Sequence, residues 1–265
     1  MQSAPLDPPA APLVPAPDGD VVVVVPVYRN APTLPELAQR VAQALAPTGW
    51  RHRLLFVVDA SPDGAWTVVQ ALALQDQRIA GLLLASNQGQ HRALLAGMAL
   101  VDARWVAVMD ADLQDPPELL PELIAACQRT GLTAFARRQG RYQSTGRMLT
   151  SRLFKTVLGW LLRMPADVGT YLVVSRGVRE RMVSAGIQHP QVVVMARAFS
   201  SGWCGVPVAR QPRPVGTSAY SALGRVKAAM RSLRCAWECR RALAHGDLPG
   251  PRTTAPVAAR VNLAP

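Results

Sequence analysis

Hydrophobic residues along this chain fall into short continuous runs separated by stretches with helical spacing. Val21 to Val27 is a β-branched run, which is typical of a parallel strand buried on both faces. Further strands are predicted from Arg53 to Asp59, from Gly81 to Ala85 and over Trp105 to Met109. The first half of the chain therefore contains at least four buried strands.

Helices are predicted between these strands. Thr33 to Glu36 has a capping-box pattern that opens a helix with an apolar stripe over Leu34, Leu37, Val41 and Leu45. A second helix ends at about Leu74, and a third runs from Asn87-Gln88-Gly89 through Val101. Strands that alternate with helices predict an α/β fold with a mostly parallel sheet flanked by helices.

The second half of the chain is less regular. Strands are predicted over Leu132 to Ala136 and Gly169 to Ser175, and a helix over Gly146 to Arg163. Periodicity does not decide whether Val192 to Phe199 is helix or strand. A basic amphipathic helix is predicted over residues 221–243.

These patterns divide the 265 residues into four parts. Residues 1–19 contain six prolines and are predicted to be disordered. Residues 20–220 form the main domain, residues 221–245 the basic amphipathic helix and residues 246–265 a flexible tail. With 49% hydrophobic residues, the chain is long enough for a sizeable core.

Polar residues are concentrated directly after the strand at Trp105. If the extended form continues, Asp110, Asp112 and Gln114 point to the same side, because strand side chains alternate between faces. Asp115 can then cap the next helix, with Glu118 in the capping-box position. Two carboxylates and an amide oxygen are ligands that a hard divalent cation such as Mg²⁺ prefers.

Charge is divided unevenly along the chain. The net charge is +12; residues 1–122 carry 7 Lys and Arg against 13 Asp and Glu, and residues 123–265 carry 22 against 4. The basic half should meet something anionic, such as phosphates, a membrane surface or nucleic acid. A genome that uses arginine freely would explain the same imbalance without a partner.

Several features bear on the location of the protein. No apolar run reaches the length of about 18 residues that spans a bilayer, and the Pro-rich N-terminus does not have the pattern of a signal peptide. The four cysteines lack metal-ligand spacing with histidine, which favours a reduced protein. We therefore expect a cytoplasmic protein, at most peripheral at the inner face of the plasma membrane.

Motifs along residues 20–220 resemble, in order, those of family 2 glycosyltransferases of the GT-A fold. The resemblance is greatest to the polyprenyl-phosphate glycosyltransferases, the group of dolichol-phosphate mannose synthase and related bacterial enzymes. The segment from Asp110 to Glu118 is similar to the Asp-x-Asp-Leu-Gln-x-Pro-Pro-Glu signature of this group almost letter for letter. The remaining matches are Pro26-Val27-Tyr28, Asp59 to Gly64, Asn87 with Gly89, Ala93 and Gly97, Arg147 with Ser151, and Arg213 to Tyr220.

This resemblance implies roles for individual residues. The residues implied to bind the donor are Pro26, Tyr28, Asp59, Asn87, Gly89 and Asp110. Of these, Asp59 would face the nucleotide base. Asp110 and Asp112 are the implied catalytic residues, and with Gln114 they would hold a divalent cation, Mg²⁺ or Mn²⁺. The acceptor phosphate would be held by Arg138, Arg147, Ser151, Arg213 and Ser218.

The implied reaction transfers a sugar, with inversion, from a UDP- or GDP-linked donor to an undecaprenyl-type phosphate at the cytosolic membrane face. Three positions depart from the family pattern: Val58 precedes Asp59, Asn30 replaces an acid and Ala219 replaces a lysine. A soluble saccharide or metabolite acceptor is the alternative. A basic nucleic-acid-binding protein is a more remote alternative, since aromatic residues make up only 5% of the chain. A non-catalytic relative is another remote alternative, and the intact Asp110, Asp112 and Gln114 argue against it.

Overall fold

The computed structural model describes residues 21–139, 167–209, 222–245 and 255–263. They contain an eight-stranded sheet with the strand order β7-β5-β6-β4-β1-β2-β3-β8. The strands are β1 Val21–Val27, β2 His52–Val58, β3 Ile79–Leu84, β4 Trp105–Val108, β5 Thr133–Gln139, β6 Val168–Ser175, β7 Trp203–Ala209 and β8 Val257–Val261.

The sheet is mixed, with four parallel and three antiparallel pairings. Parallel pairs join β1 to β2 and β4, β2 to β3, and β5 to β7. Antiparallel pairs join β3 to β8, β4 to β6 and β5 to β6. The predicted α/β fold with a mostly parallel sheet is confirmed.

Helices cover both faces of this sheet, and their packing explains the hydrophobic pattern. They are α1 Leu34–Leu45, α2 Ala65–Gln75, α3 Gln90–Ala99, α4 Leu120–Thr130, α5 Arg176–Ser184, α6 Val192–Ala198 and α7 Ala222–His245. One buried cluster joins the sheet to α1, α2 and α4. The other joins it to α3, α5, α6 and α7.

The valine run of β1 shows why the central strands lack polar positions. Val23 and Val25 lie in the first cluster, whereas Val22 and Val24 lie in the second. Each of these side chains is 0–1% exposed, and burying one valine contributes roughly 1.5–3 kcal/mol. A strand between two helical layers needs apolar residues on both faces.

Gly97 lets α3 approach the sheet closely. A Cβ atom at this position would lie 2.6 Å from Val57 Cγ2 and 2.9 Å from Val24 Cγ1. Since such distances are too short for carbon atoms, any larger residue would push α3 outward. α3 begins directly after the loop that follows β3, so its position also fixes that end of the loop.

Both predicted capping boxes are wrong, for the same reason. A turn of 3-10 helix precedes α1 over Ala31–Thr33, and another precedes α4 over Pro117–Leu119. Thr33 therefore already has helical dihedral angles, whereas an N-cap residue is extended. The Thr33 hydroxyl instead donates to the carbonyl oxygen of Ala111 (2.6 Å), and the carbonyl oxygen of Asn30 lies 2.9 Å from the same hydroxyl.

Glu118 likewise acts between helices instead of within one. Its two carboxylate oxygens each lie 2.9 Å from a donor nitrogen of Arg40 on α1. This bidentate pair holds the pKa of Glu118 below its ordinary value. Asp115, the other predicted capping residue, is buried, and Pro116 occupies the N-cap position of the 3-10 turn.

The C-terminal region differs in part from the prediction. The segment 246–265 was predicted to be a flexible tail, yet Val257–Val261 forms β8 and pairs antiparallel with β3. Asn262 extends this contact, since its Nδ2 donates to the carbonyl oxygens of Ala73 (2.6 Å) and Ile79 (2.8 Å). The undecided segment from Val192 is helical in α6.

The predicted helix over Gly146 to Arg163 and the Pro-rich residues 1–19 lie outside the described residues. Within the described part of the chain, none of the helices is both long and apolar enough to cross a membrane.

Candidate active site at the carboxyl ends of the strands

Three neighbouring parallel strands, β4, β1 and β2, end at the same edge of the sheet. Polar loops follow each of them, and a fourth loop follows β3, which is parallel to β2. In open α/β sheets, ligands bind outside the carboxyl ends of the strands. The predicted donor and metal residues after these strands are therefore brought to one edge.

Asp59 is the first residue after β2 and is only 3% exposed. Its Oδ1 accepts from the backbone N–H of Gln88 (2.7 Å), and its Oδ2 accepts from that of Gly89 (2.8 Å). Both carboxylate oxygens thus hold the loop after β3. The base contact of Asp59 stays a prediction, and the observed contacts make this residue the anchor of its neighbouring loop.

Gly89 needs to be a glycine for conformational reasons. Its φ of 83° lies in the region that residues with a side chain rarely adopt. The side chain of Asn87 also accepts from the Gly89 N–H, at 3.2 Å. The Asn-x-Gly motif therefore forms a tight turn that leads directly into α3.

A second set of hydrogen bonds joins the loops after β1 and β2. The Asp63 carboxylate accepts from the hydroxyl of Ser61 (2.6 Å) and the backbone N–H of Ala31 (2.8 Å). Ser61 in turn accepts from the backbone N–H of Arg29 at 2.7 Å. Burial opposes ionisation, but these bonds hold the pKa of Asp63 below its ordinary value.

This network leaves Tyr28 accessible. Its side chain is 43% exposed, and the Arg29 guanidinium lies 5.4 Å from the ring centroid. Pro26, by contrast, is buried in β1, beyond the last pair that this strand makes with β4, Val24 with Val108. Proline has no backbone N–H, and at this position its absence removes no hydrogen bond between β1 and β4. Tyr28, in contrast, has an exposed aromatic ring.

Asp110 lies just beyond β4 and is oriented by two side chains. Its Oδ1 accepts from Gln90 Nε2 (2.6 Å) and from the Thr170 hydroxyl (2.8 Å). Gln90 begins α3, and Thr170 lies on β6. Asp110 is thereby connected to the start of α3 and to the neighbouring strand β6.

The extended form predicted beyond Met109 does not occur. β4 ends at Val108, where its pairs with β1 and β6 also end, so no neighbouring strand keeps the chain extended. Ala111 and Asp112 form a turn, and Leu113 is left-handed, with φ 57° and a buried side chain. Asp112 Oδ1 accepts from the backbone N–H of Gln114 at 3.2 Å.

The residues of this turn fit a hard divalent cation. Asp110, Asp112 and Gln114 supply oxygen atoms, and Mg²⁺ takes its remaining ligands from water and substrate phosphates. Within the described ranges, no group of three His, Cys, Asp or Glu side chains forms a metal site on its own. A cation here would therefore be shared between the protein and a phosphate-bearing ligand.

Only one of the five residues predicted to hold the acceptor phosphate lies in the described part of the chain. Arg147, Ser151, Arg213 and Ser218 lie outside the described residues. Arg138 lies on β5, opposite Val208 of β7. The described residues thus bring together the predicted donor and metal residues, but not the predicted acceptor residues.

Sequence reasoning missed four residues that shape the site: Thr33, Asp63, Gln90 and Thr170. Gln90 directly follows the Asn-x-Gly turn, so its place in the first turn of α3 was a usable signal. Asp63 lies within the motif after β2 and was available in the same way. Thr170 lies inside a strand, and nothing in the local pattern distinguishes it.

Polar groups at the carboxyl ends of parallel strands are typical of α/β proteins that bind a ligand at this edge of the sheet. The chain belongs to glycosyl transferase family 2, whose family model matches residues 22–178. It is therefore a glycosyltransferase.

Known proteins that resemble this chain include one curated enzyme with a named lipid acceptor. The undecaprenyl-phosphate 4-deoxy-4-formamido-L-arabinose transferase of Proteus mirabilis is 29% identical over 220 residues. The match covers 81% of this chain and 67% of that enzyme.

Two solved structures have a similar fold. Mannosyl-3-phosphoglycerate synthase from Rubrobacter xylanophilus has a TM-score of 0.56 at 16% identity, over 85% of this chain and 74% of that one. Glucosyl-3-phosphoglycerate synthase from Mycobacterium tuberculosis, in complex with Mn²⁺, UDP-glucose and phosphoglyceric acid, has a TM-score of 0.55 at 16% identity. That match covers 82% of this chain and 80% of the other.

Proposed function

We propose that this enzyme transfers a sugar from a UDP- or GDP-linked donor to an undecaprenyl-type polyprenyl phosphate at the cytosolic face of a membrane. The anomeric centre is inverted in this reaction, and a divalent cation is required. Residues 20–220 are the catalytic domain in this proposal, and residues 221–245 lie against the membrane surface.

One observation carries the donor side of the proposal. Asp59, the Gln88–Gly89 loop, Gln90 and Asp110 are linked by hydrogen bonds of 2.6–2.8 Å across the ends of β2, β3 and β4. Exposed Tyr28 lies after β1, beside this chain of contacts. A base and ribose would occupy the side of Tyr28 and Asp59, and the diphosphate the side of Asp110 and Asp112.

The cation would supply positive charge for the leaving diphosphate, a Lewis-acid role. Asp110, Asp112 and Gln114 would hold it, with Gln90 and Thr170 orienting the Asp110 carboxylate. The Mn²⁺ and UDP-glucose bound in the M. tuberculosis fold relative support a metal-shared donor site.

The acceptor is the second half of the proposal. A phosphate oxygen of the acceptor attacks the anomeric carbon and forms the new C–O bond. The bond between the anomeric carbon and the nucleoside diphosphate breaks, and its electron pair leaves with the diphosphate. Because the attacking phosphate is already an anion, no strong general base is needed. Arg138, Arg147, Ser151, Arg213 and Ser218 would hold it, and the undecaprenyl-phosphate relative from P. mirabilis supports this acceptor class.

The surface of α7 suits attachment to an anionic membrane. Met230, Leu233 and Trp237 share one side of the helix and are 63%, 37% and 56% exposed. The Arg241 guanidinium lies 4.7 Å from the Trp237 ring centroid. Apolar side chains flanked by arginines are typical of helices that lie in a membrane interface.

The test is a transfer assay with labelled UDP- and GDP-sugars, polyprenyl phosphate and Mg²⁺ or Mn²⁺. We expect one donor to give a labelled, organic-extractable product whose formation stops when the cation is chelated. Asp112→Asn should lower the rate by about 100-fold or more, because it removes a metal-ligating charge.

Asp76→Asn is the matched control, since Asp76 pairs with Arg78 at 2.7 Å after α2, at the other end of β3. It should keep the wild-type rate. A labelled water-soluble product, formed only when a saccharide or metabolite replaces the lipid, would support the soluble-acceptor alternative instead. Equal rates for Asp112→Asn and Asp76→Asn would contradict the metal assignment.

A further inference from the structure

A cavity of about 410 Å³ opens beside the start of α3. Its walls are residues 88–92, the loop 188–191 and Arg231 of α7. Cavities of about 300–1,000 Å³ are typical of small-molecule sites. Apart from Gly89, none of its lining residues is among the predicted donor, metal or acceptor residues.

The lining of this cavity is cationic and rich in hydrogen-bond donors. It includes Arg92, Arg231 and several glutamines, and no acidic side chain is among its described lining residues. Arg92 is held in place by one bond, from its Nη2 to the carbonyl oxygen of Gln188 (3.0 Å). A guanidinium carries five N–H donors, so Arg92 can bind an anion as well.

His91 adds a neutral donor to the same wall. Its Nδ1 accepts from the backbone N–H of Val192 at 3.3 Å, so in the neutral ring the proton is on Nε2. Burial, together with the nearby charge of Arg231, lowers the pKa of His91 to about 4. His91 is thus uncharged at neutral pH, and the positive charge of the wall belongs to the two arginines.

The cavity borders the proposed diphosphate and metal position. Gln90 belongs to its wall and donates from Nε2 to Asp110 Oδ1 at 2.6 Å. A ligand in the cavity is therefore one side chain away from Asp110. An anion bound here would face the donor from the side of α3 and α7.

The opposite wall is fixed by α7 itself. Glu238 Oε2 accepts from the backbone N–H groups of Gln188 (2.9 Å) and His189 (3.1 Å), and Oε1 lies 2.8 Å from His189 Nδ1. The helix that carries the exposed apolar side chains Met230 and Leu233 therefore also supplies Arg231 and holds the loop 188–191. Arg231 lies about 100° around the helix from Met230.

We propose that this cavity binds the phosphate of the acceptor, with Arg92 and Arg231 as its ligands. The inference rests on the proposed function and adds to it two residues outside the family motifs. With α7 on the membrane, the isoprenyl chain stays at the apolar side of the helix while its phosphate reaches Arg231 and the neighbourhood of Asp110. The ligand class is a phosphate monoester.

The test uses the full chain and citronellyl phosphate, a short isoprenyl phosphate that needs no bilayer. Its affinity is measured by calorimetry for the wild type, Arg231→Gln and Arg240→Gln. Arg240 is an exposed arginine of α7 outside the cavity lining, so its variant removes the same charge from the same helix. We expect Arg231→Gln to weaken binding more than about tenfold and Arg240→Gln less than about twofold.

Two further measurements separate this site from other effects. The affinity for the nucleoside diphosphate should be the same in all three proteins, and Arg231→Lys should restore part of the binding of citronellyl phosphate, since it keeps the charge but not the fork. Equal weakening by Arg231→Gln and Arg240→Gln would overturn the proposal, as would wild-type protein that binds citronellyl phosphate no better than citronellol.

The proposed function can fail independently of the site. Inorganic phosphate that binds through Arg231, with no gain from the isoprenyl chain and no glycolipid product, would establish an anion site and refute the lipid acceptor. Normal glycolipid formation by Arg231→Gln, with an unchanged KM for the lipid, would refute this site and leave the proposed function intact.

Discussion

Two carboxylates hold the two loops that meet at the start of α3, and they do so in different ways. Asp59 follows a central strand, is 3% exposed, and gives one oxygen to the Gln88 N–H and the other to the Gly89 N–H. The Glu238 side chain lies on the peripheral helix α7 and is 15% exposed. Its Oε2 accepts hydrogen bonds from the backbone N–H groups of Gln188 and His189, and its Oε1 contacts the His189 ring.

The two loops should differ in how well they tolerate a change in the carboxylate that holds them. The donor loop depends on both oxygens of a buried anion, so each is needed as an acceptor. The loop 188–191 depends on one oxygen of the partly exposed Glu238 side chain. The other oxygen contacts the His189 ring, and a neutral group could make that contact instead. The loop after β3 should therefore be rigid, and the loop 188–191 should tolerate changes in sequence.

The largest expected effect is that of Asp59→Asn. An asparagine can present only one oxygen, so its amide group faces a second N–H donor in a buried position. We expect a loss of about 4 kcal/mol in the free energy of unfolding, because one charge-assisted bond is lost and another becomes neutral. Urea denaturation measures it, and donor affinity should fall in parallel as the Gln88–Gly89 loop loosens.

Asp76→Asn again provides the control, since Asp76 is a surface residue whose pair with Arg78 should contribute less than about 1 kcal/mol. If Asp59→Asn is no more destabilising than Asp76→Asn, the two backbone contacts do not hold the donor loop. The contrast between Asp59 and Glu238 would then lose its basis.

The second-largest effect is expected from acidification, which should destabilise the structure around His91 more than the loop after β3. Unfolded His91 takes up a proton near pH 6.5, whereas the folded ring stays neutral down to about pH 4. The stability contributed by the neutral ring is thus fully present above pH 6.5 and is lost as the pH falls toward 4. The shift corresponds to about 3 kcal/mol at most.

His91→Asn isolates this contribution, because the Asn side-chain oxygen can accept from Val192 N–H and does not titrate. Its urea midpoint should fall less between pH 7 and pH 4.5 than that of the wild type. A smaller decline should remain, since burial also lowers the pKa of His52. Between pH 7 and pH 5, the protection factor against hydrogen exchange should fall at Val192 and stay unchanged at Gly89. A fall at Gly89 with an unchanged value at Val192 would contradict this expectation.

The parts of the site that the sequence predicted well are those set by local pattern. β1 to β4, and the loops after them, follow from apolar runs that end in polar residues, and the edge of the sheet then brings Asp59, Gly89 and Asp110 together. A parallel sheet converts sequence order into spatial neighbourhood, so no knowledge of side-chain contacts was required.

The parts that it did not predict depend on contacts between distant segments. Thr33 contacts Ala111, Glu118 pairs with Arg40, and β8 pairs with β3 across more than 170 residues. The capping boxes failed because a 3-10 turn competes with the N-cap, which the residue types alone do not reveal. Arg231 was part of a predicted basic helix, but only the packing of α7 places it beside α3.

The smallest effect should come from Glu238→Gln, the counterpart of Asp59→Asn. A glutamine can put its oxygen where Oε2 accepts from Gln188 and His189, and its amide group toward His189 Nδ1. The neutral imidazole can then accept at Nδ1 by changing tautomer, so no buried donor loses its partner. We expect a loss below about 1 kcal/mol in urea denaturation, and an unchanged donor affinity. Glu238→Ala, which leaves both backbone N–H groups to solvent, should cost more than Glu238→Gln. A Gln variant as unstable as Asp59→Asn would mean that the charge of Glu238, and not the position of its oxygen, holds the loop.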